Sequence, residues 1–201
     1  MIEIVNIFTY LLIFLLLGSF PISLCSIKKI HNSKNSFFDL LSTNLIVNLC
    51  LIFLISFTNI NQKSYFILLI VFSLLFNFYY LTKNKNYFDS LINKKFLFFI
   101  IINLIIFIYL SKNPTLAWDG LQNWYFKAQN FFYDYNFFDL KNVNNGLNYY
   151  PHFGSFLWGF FWKNSFLQYE YFGRLIYVFI FVLSIFSLCD LLNKNNFIKN
   201  I

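Results

Sequence analysis

The side chains that could do chemistry are concentrated in one polar stretch, residues 117–152, which interrupts an otherwise apolar chain. Its candidate residues are Asp119, Trp124, Lys127, Tyr150 and His152. The sequence shows neither a Ser-His-Asp arrangement nor a glycine-rich phosphate loop that would compete with them. The residues alone therefore predict one candidate acidic site, centred on Asp119.

The composition is that of a membrane protein. Of the 201 residues, 59% are hydrophobic and 11% are charged, and the mean hydropathy is +0.60. Soluble domains carry about 25% charged residues. We therefore expect an all-α, polytopic helical membrane protein with about six transmembrane helices and an external amphipathic juxtamembrane helix.

The apolar runs give the expected organisation of the chain. Residues 1–95 hold three transmembrane helices joined by basic cytoplasmic loops, and residues 193–201 form a polar tail. Residues 96–192 form a membrane core around the external loop 112–152. The expected spans are 4–24, 37–57, 65–81, 96–110, 153–162 and 171–192, of which the fifth is short.

The formal net charge of +7 does not indicate a nucleic-acid partner, because the lysines lie in short loops between apolar runs. Such lysines mark the cytoplasmic side of a membrane protein. The loops around Lys28 and Lys94 are therefore expected in the cytoplasm, with the N-terminus and the central loop outside. Six spans would place Lys194 and Lys199 of the tail outside, against the same rule.

The three cysteines lie in or beside apolar runs, without the spacing of metal ligands. We therefore expect neither a disulfide framework nor a zinc site. No metal ligand and no cofactor is assigned, although a divalent metal ion is compatible with the sequence.

Apolar residues recur after Trp118 at alternating steps of three and four, which predicts an amphipathic helix in the outer interface. The apolar face consists of Trp118, Leu121, Tyr125, Ala128, Phe132 and Tyr135. The opposite, solvated face consists of Asp119, Asn123, Lys127, Asn130 and Asp134.

Each candidate also has a purely structural interpretation. Asp119 could cap the helix that follows it, and Lys127 could be a neighbour of other polar residues on a solvated face. Pro151 could occupy the first position of the next helix, and His152 could be an interfacial polar residue. Glu170 and Arg174 could form an ion pair at a helix end.

Three features in this order resemble the C-type glycosyltransferase superfamily, which includes protein mannosyltransferases and aminoarabinose transferases. They are an aromatic residue followed by Asp119, an amphipathic helix with Lys127 near its middle, and Tyr150-Pro151 before a span. The segment 170–175 is similar to the start of the following helix in those enzymes. The resemblance covers residues 96–192.

The resemblance implies a bacterial inner-membrane enzyme of the cell envelope. It would transfer a sugar from a polyprenyl-phosphate carrier to a lipid or glycan acceptor outside. Asp119 would be the catalytic general base, and Lys127 would stabilise the departing phosphate. The other substrate-binding candidates are Trp124, Tyr150, His152 and Arg174, although six spans would place Arg174 near the cytoplasmic end.

The chain departs from the family in having Gly120 where many relatives have a second carboxylate. Relatives also carry further spans, which leads us to expect an N-terminal fragment or a short relative. The alternative function is a non-catalytic membrane subunit or scaffold. A transporter is a third class, but the spans carry few of the charges that mark an ion path.

Overall fold

A computed structural model describes residues 2–19, 37–83, 94–117, 120–140 and 151–194. All regular elements in these ranges are helical, which confirms the expected fold class. The longer helices are α1 (Ile2–Ser19), α2 (Phe37–Leu54), α3 (Gln62–Lys83), α4 (Lys94–Lys112), α7 (Phe153–Lys163) and α8 (Leu175–Lys194). The central loop contributes a π-helical turn (Gly120–Tyr125), α5 (Phe126–Phe132) and α6 (Phe137–Leu140). Short 3₁₀ turns extend α2 (Ile55–Phe57) and precede α8 (Glu170–Arg174).

Five helices of the described chain are long and apolar enough to cross a membrane. They are α1, α2 with its 3₁₀ turn, α3, α4, and α8 with the 3₁₀ turn before it. The stretch expected as the fifth of about six spans is instead the 11-residue helix α7. At 1.5 Å per residue its length is about 16 Å, roughly half of the hydrocarbon thickness.

One end of the bundle, which we call the loop end, carries the described part of the central loop. The Tyr171 hydroxyl donates to the Glu3 carboxylate at 2.5 Å, which places the start of α1 beside the start of α8. The Arg174 guanidinium donates to the Pro114 carbonyl oxygen at 2.7 Å, just beyond the end of α4. The central loop and the segment before α8 therefore share this end.

The opposite end joins α2, α4 and α8. The Lys95 ammonium lies 3.1 Å from the Asp190 carboxylate, and the Ser187 hydroxyl donates to Asp39 at 2.6 Å. Both pairs link the start of one helix to the final turns of α8. The bundle thus has polar contacts between helices at both ends.

The core is centred on Phe14 of α1, which is fully buried. Its ring lies 6.3 Å from that of Phe107 in α4, 5.2 Å from Phe161 in α7 and 5.4 Å from Phe179 in α8. Aromatic pairs at such separations contribute beyond the area they bury. They hold the short helix α7 against three long ones.

Helix α7 lies across the loop end and does not cross the bundle. The Phe153 ring contacts Phe53 near the end of α2, and the Phe160 ring contacts Phe66 in the first turns of α3. Both partners belong to the loop end. The chain therefore enters and leaves α7 on the same side.

Two glycines allow α7 to approach its neighbours closely. A Cβ atom at Gly159 would collide with the Ala128 carbonyl oxygen in α5, and one at Gly173 would collide with the Trp158 carbonyl oxygen. Since these obstacles are backbone atoms, they cannot rotate away. The glycines fix α7 between α5 and the 3₁₀ turn before α8.

Candidate functional site

Lys127 is fully buried, which contradicts its expected place on a solvated face. The buried side of α5 consists of Lys127, Ala128 and Phe131, whereas Leu121, from the predicted apolar face, is 50% exposed. The π-helical turn Gly120–Tyr125 has more residues per turn than an α-helix and shifts Leu121 relative to the residues of α5. Lys127 is covered because α5 is buried on two adjacent sides and not on one.

Lys127 interacts with two residues of the loop end, Trp124 and His152. Its Nζ atom is 6.0 Å from the centre of the Trp124 ring, a cation–π geometry. The positive charge of Lys127 also lowers the pKa of His152, the residue that precedes α7. Lys127, Trp124 and His152, predicted from the sequence as site residues, are therefore brought together.

The surroundings of Lys127 and His152 disfavour the protonated form of both side chains. Burial lowers the pKa of Lys127 below that of an ordinary lysine. Burial also lowers the pKa of His152, and the nearby charge of Lys127 lowers it further. The His152 imidazole is therefore neutral at pH 7, and its Nδ1 atom is buried without a hydrogen-bond partner.

A cavity of about 250 Å³ lies between the π-helical turn, α7 and α8. Its lining residues are Gly120, Trp124, Gly154, Ser155, Trp158 and Tyr177. Ser155 is 1% exposed, and its Oγ atom has no hydrogen-bond partner. The cavity therefore combines aromatic walls with one buried hydroxyl that is available to a ligand.

The first turn of α7 provides further donors. The Phe156 N–H donates to the His152 carbonyl oxygen at 2.9 Å and is the first amide of the helical pattern. The amides of Phe153, Gly154 and Ser155 precede it and have no acceptor within the helix. Pro151 lies before His152 rather than at the first helical position, contrary to the expectation from sequence.

Arg174 lies at the loop end, on the same side of the bundle as the described part of the central loop, whereas six spans would place it at the opposite end. It is 9% exposed, pairs with the Glu170 carboxylate at 2.9 Å and donates to the carbonyl oxygens of Pro114 and Thr115. Its guanidinium carbon is 5.8 Å from the Trp158 ring. Arg174 lies there because the short helix α7 begins and ends at the loop end, so the chain is still at that end when it reaches Arg174.

The ion pair between Glu170 and Arg174 confirms the structural interpretation of those residues. Two peptide carbonyls and one carboxylate already accept from the guanidinium. Arg174 thereby ties the end of α4 to the start of α8 and supports the Trp158 wall. We assign it a positioning role.

Ser155, Trp158 and Tyr177 were not predicted as site residues. They lie in runs of Phe, Leu, Ile and Val that read as membrane spans. Gly154 and Ser155, small residues within an aromatic run, were the only sequence signal that a space could exist there.

Trp118, Asp119 and Tyr150 lie outside the residues that the structure describes. Their predicted roles stay predictions. Gly120, the residue after Asp119 in the sequence, lines the cavity.

Within the described ranges, His, Cys, Asp and Glu side chains form no group of three or more that could hold a metal ion. Cys50 and Cys189 are exposed free thiols.

Comparison of the chain with protein-family models, with curated proteins and with solved structures gives no match.

Proposed function

We propose that this chain is a membrane glycosyltransferase-like protein. It transfers a sugar from a polyprenyl-phosphate donor to a lipid or glycan acceptor at the external face of the bacterial inner membrane. The observation that carries the proposal is the buried Lys127 ammonium, which lies over the aromatic ring of Trp124 and acts electrostatically on His152, the residue before α7.

A phosphate group suits this position because two sources of positive potential meet there. The start of a helix carries a partial positive charge and exposes amide donors. Lys127 adds a full charge, with little water around it to screen the attraction. The unpartnered hydroxyl of Ser155 supplies another donor at the same turn.

The carrier lipid suits the surroundings of the site. Trp124, Trp158 and Tyr177 form apolar walls of the cavity. The described side chains of α4 also include large apolar groups on its outer surface, such as Ile105 and Tyr109. An isoprenoid chain can lie along such a surface while its phosphate reaches the cavity.

The roles of the residues follow from this arrangement. Lys127 stabilises the charge that develops on the departing phosphate. Asp119 acts as general base on the acceptor hydroxyl. Trp124, Tyr150 and His152 form walls for the sugar or the carrier, and Arg174 holds the loop end together.

The test is transfer from a labelled polyprenyl-phosphate sugar by the full chain in vesicles. We expect Asp119→Asn to reduce the rate by about 10²- to 10⁴-fold, the usual contribution of general base catalysis. We expect Lys127→Met to reduce it by about 10²- to 10³-fold. Lys112→Met is the control, because Lys112 is exposed at the same end of the bundle.

Equal transfer by wild type and Asp119→Asn would remove Asp119 from the mechanism. A folded wild-type chain without transfer would count against the enzyme and favour the alternative, a non-catalytic subunit or scaffold. In that case Trp124→Ala should disrupt co-purification with a partner complex, while Asp119→Asn should not.

A further inference from the structure

We propose that a second cleft at the loop end binds a neutral, hydroxyl-rich ligand, that is, a saccharide. This cleft, the asparagine cleft, lies between residues 55–62 and residues 134–139 and has a volume of about 240 Å³. It contains none of the residues that line the cavity beside Lys127. The inference therefore does not rest on the proposed transfer reaction.

Two buried oxygen atoms at the cleft have no hydrogen-bond partner. They are Oγ of Ser56, which is 1% exposed, and Oε1 of Gln62, which is 5% exposed. The Gln62 side-chain nitrogen donates to the Phe131 carbonyl oxygen at 3.1 Å, which holds the amide in place. A buried polar atom without a partner is costly, and a ligand hydroxyl would satisfy each of them.

The rim of the cleft is held in place by its own hydrogen bonds. The Asn136 side chain donates to Asn59 at 3.0 Å and thereby joins the two walls. Its backbone N–H donates to the Asp139 carboxylate at 2.8 Å, and its side-chain oxygen accepts from the Asp139 N–H at 2.9 Å. A rim fixed in this way loses little entropy when a ligand binds.

The charges favour a neutral ligand over a cation. Asp134 forms an ion pair with Lys163, and one oxygen of Asp139 already accepts the Asn136 N–H. Calcium sites use six to eight oxygen ligands, several of them carboxylates. Asparagine amides and a serine hydroxyl, with the half-exposed ring of Tyr135 beside them, instead match the hydroxyls and apolar face of a sugar.

The experiment measures saturation-transfer NMR between the full chain in nanodiscs and a panel of neutral monosaccharides at millimolar concentration, without any lipid-linked donor. We expect at least one sugar to bind. Ser56→Ala should weaken that binding by about 3- to 10-fold, the effect of one lost hydrogen bond. Ser73→Ala should not, because Ser73 is equally buried and unpartnered but lines none of the described cavities.

A second pair of variants uses exposed residues, whose replacement leaves folding intact. Tyr135→Ala should weaken sugar binding, whereas Tyr133→Ala should not, since Tyr133 lies outside the cleft. The proposal is overturned if no sugar gives saturation transfer, or if both cleft variants bind as wild type does. It is also overturned if the chain binds one ⁴⁵Ca²⁺ ion that Asp139→Asn abolishes, because the cleft would then be a cation site.

Discussion

Lys127 is the central residue of the candidate site because its ammonium group is buried. A lysine side chain that is fully buried loses most of its hydration, and the structure places the Lys127 ammonium 6.0 Å from the centre of the Trp124 ring. Such sites are typical of anion binding or catalysis, where a cation with reduced hydration interacts strongly. The sequence identified the residue, but only the fold shows that it is buried.

The proximity of Lys127 and His152 can be tested without a substrate. We expect Lys127→Met to raise the pKa of His152 towards 6.5, because removal of the ammonium relieves one of the two causes that lower it. Two-dimensional NMR of the imidazole carbons measures this pKa directly. The chain has two histidines, so His31→Gln assigns the signal. An unchanged or lower pKa would contradict the arrangement.

The same lowered pKa predicts how stability depends on pH. The unfolded chain binds a proton at His152 near pH 6.5, whereas the folded chain binds it only at lower pH. Stability should therefore fall as the pH drops below 6.5 towards the pKa of the folded state. Thermal unfolding between pH 7.5 and pH 5 measures this loss, and His152→Gln should reduce it. Identical pH profiles for wild type and His152→Gln would contradict the prediction.

At the scale of elements, the closest packing in the site is between α5 and α7. The carbonyl oxygen of Ala128 occupies the space that a side chain at Gly159 would need. The Phe131 ring lies 5.1 Å from that of Phe156 one turn away, in an edge-to-face arrangement. This contact holds α5, the helix that carries Lys127, against α7, so the site depends on it.

Gly159→Ala should therefore destabilise the protein by about 1–3 kcal/mol, the usual cost of overpacking. Gly154→Ala is the matched control, because a Cβ atom there would be 3.5 Å from the Tyr177 hydroxyl, an ordinary contact. Thermal unfolding of both variants in one detergent compares them. Equal melting temperatures would contradict the close packing of α5 on α7.

The helix of the central loop shows where reasoning from the sequence succeeds and where it stops. A helical segment after Trp118 was predicted from the spacing of apolar residues, and α5 confirms helical structure there. The predicted apolar face is confirmed in part, since Ala128 is fully buried and the rings of Tyr125 and Phe132 lie against Trp162. It fails for Leu121, which is exposed, and for Lys127, which is buried although it belongs to the other face. The spacing assumed 3.6 residues per turn throughout. The π-helical turn Gly120–Tyr125 has more residues per turn, so Leu121 departs from the predicted face.

For the whole molecule, the length of α7 is the reason why we expect five crossings: five described helices are long and apolar enough to span a membrane, and α7 is not one of them. Its apolar sequence is that of a span, but 11 residues are too few, and Phe153 and Phe160 contact the loop-end parts of α2 and α3. The number of spans could not be settled from composition because Phe153–Lys163 is as apolar as a true span. With five crossings, the end of α8 lies on the same side as the start of α4.

The five crossings that we expect would also remove a conflict between the predicted topology and the positions of the lysines in the tail. Lys194 ends α8 on the side where Lys94 begins α4, so both can be cytoplasmic. We expect Lys63→Cys, at the loop end, to react with an impermeant thiol reagent from outside in a variant without native cysteines. Lys94→Cys and Lys194→Cys should react only after permeabilisation. Labelling of Lys194→Cys from outside would contradict five crossings and support six.

The central claim is that Lys127 and the start of α7 bind the phosphate of a polyprenyl carrier. Trp124 and Trp158 line the adjacent cavity, so the carrier should alter their fluorescence. The most direct measurement is a fluorescence titration of the reconstituted full chain with polyprenyl phosphate and, separately, with the uncharged polyprenol. The account predicts saturable binding of the phosphate, at least tenfold weaker for Lys127→Met and unchanged for Lys112→Met. Equal affinity for phosphate and alcohol, or no effect of Lys127→Met, would contradict it.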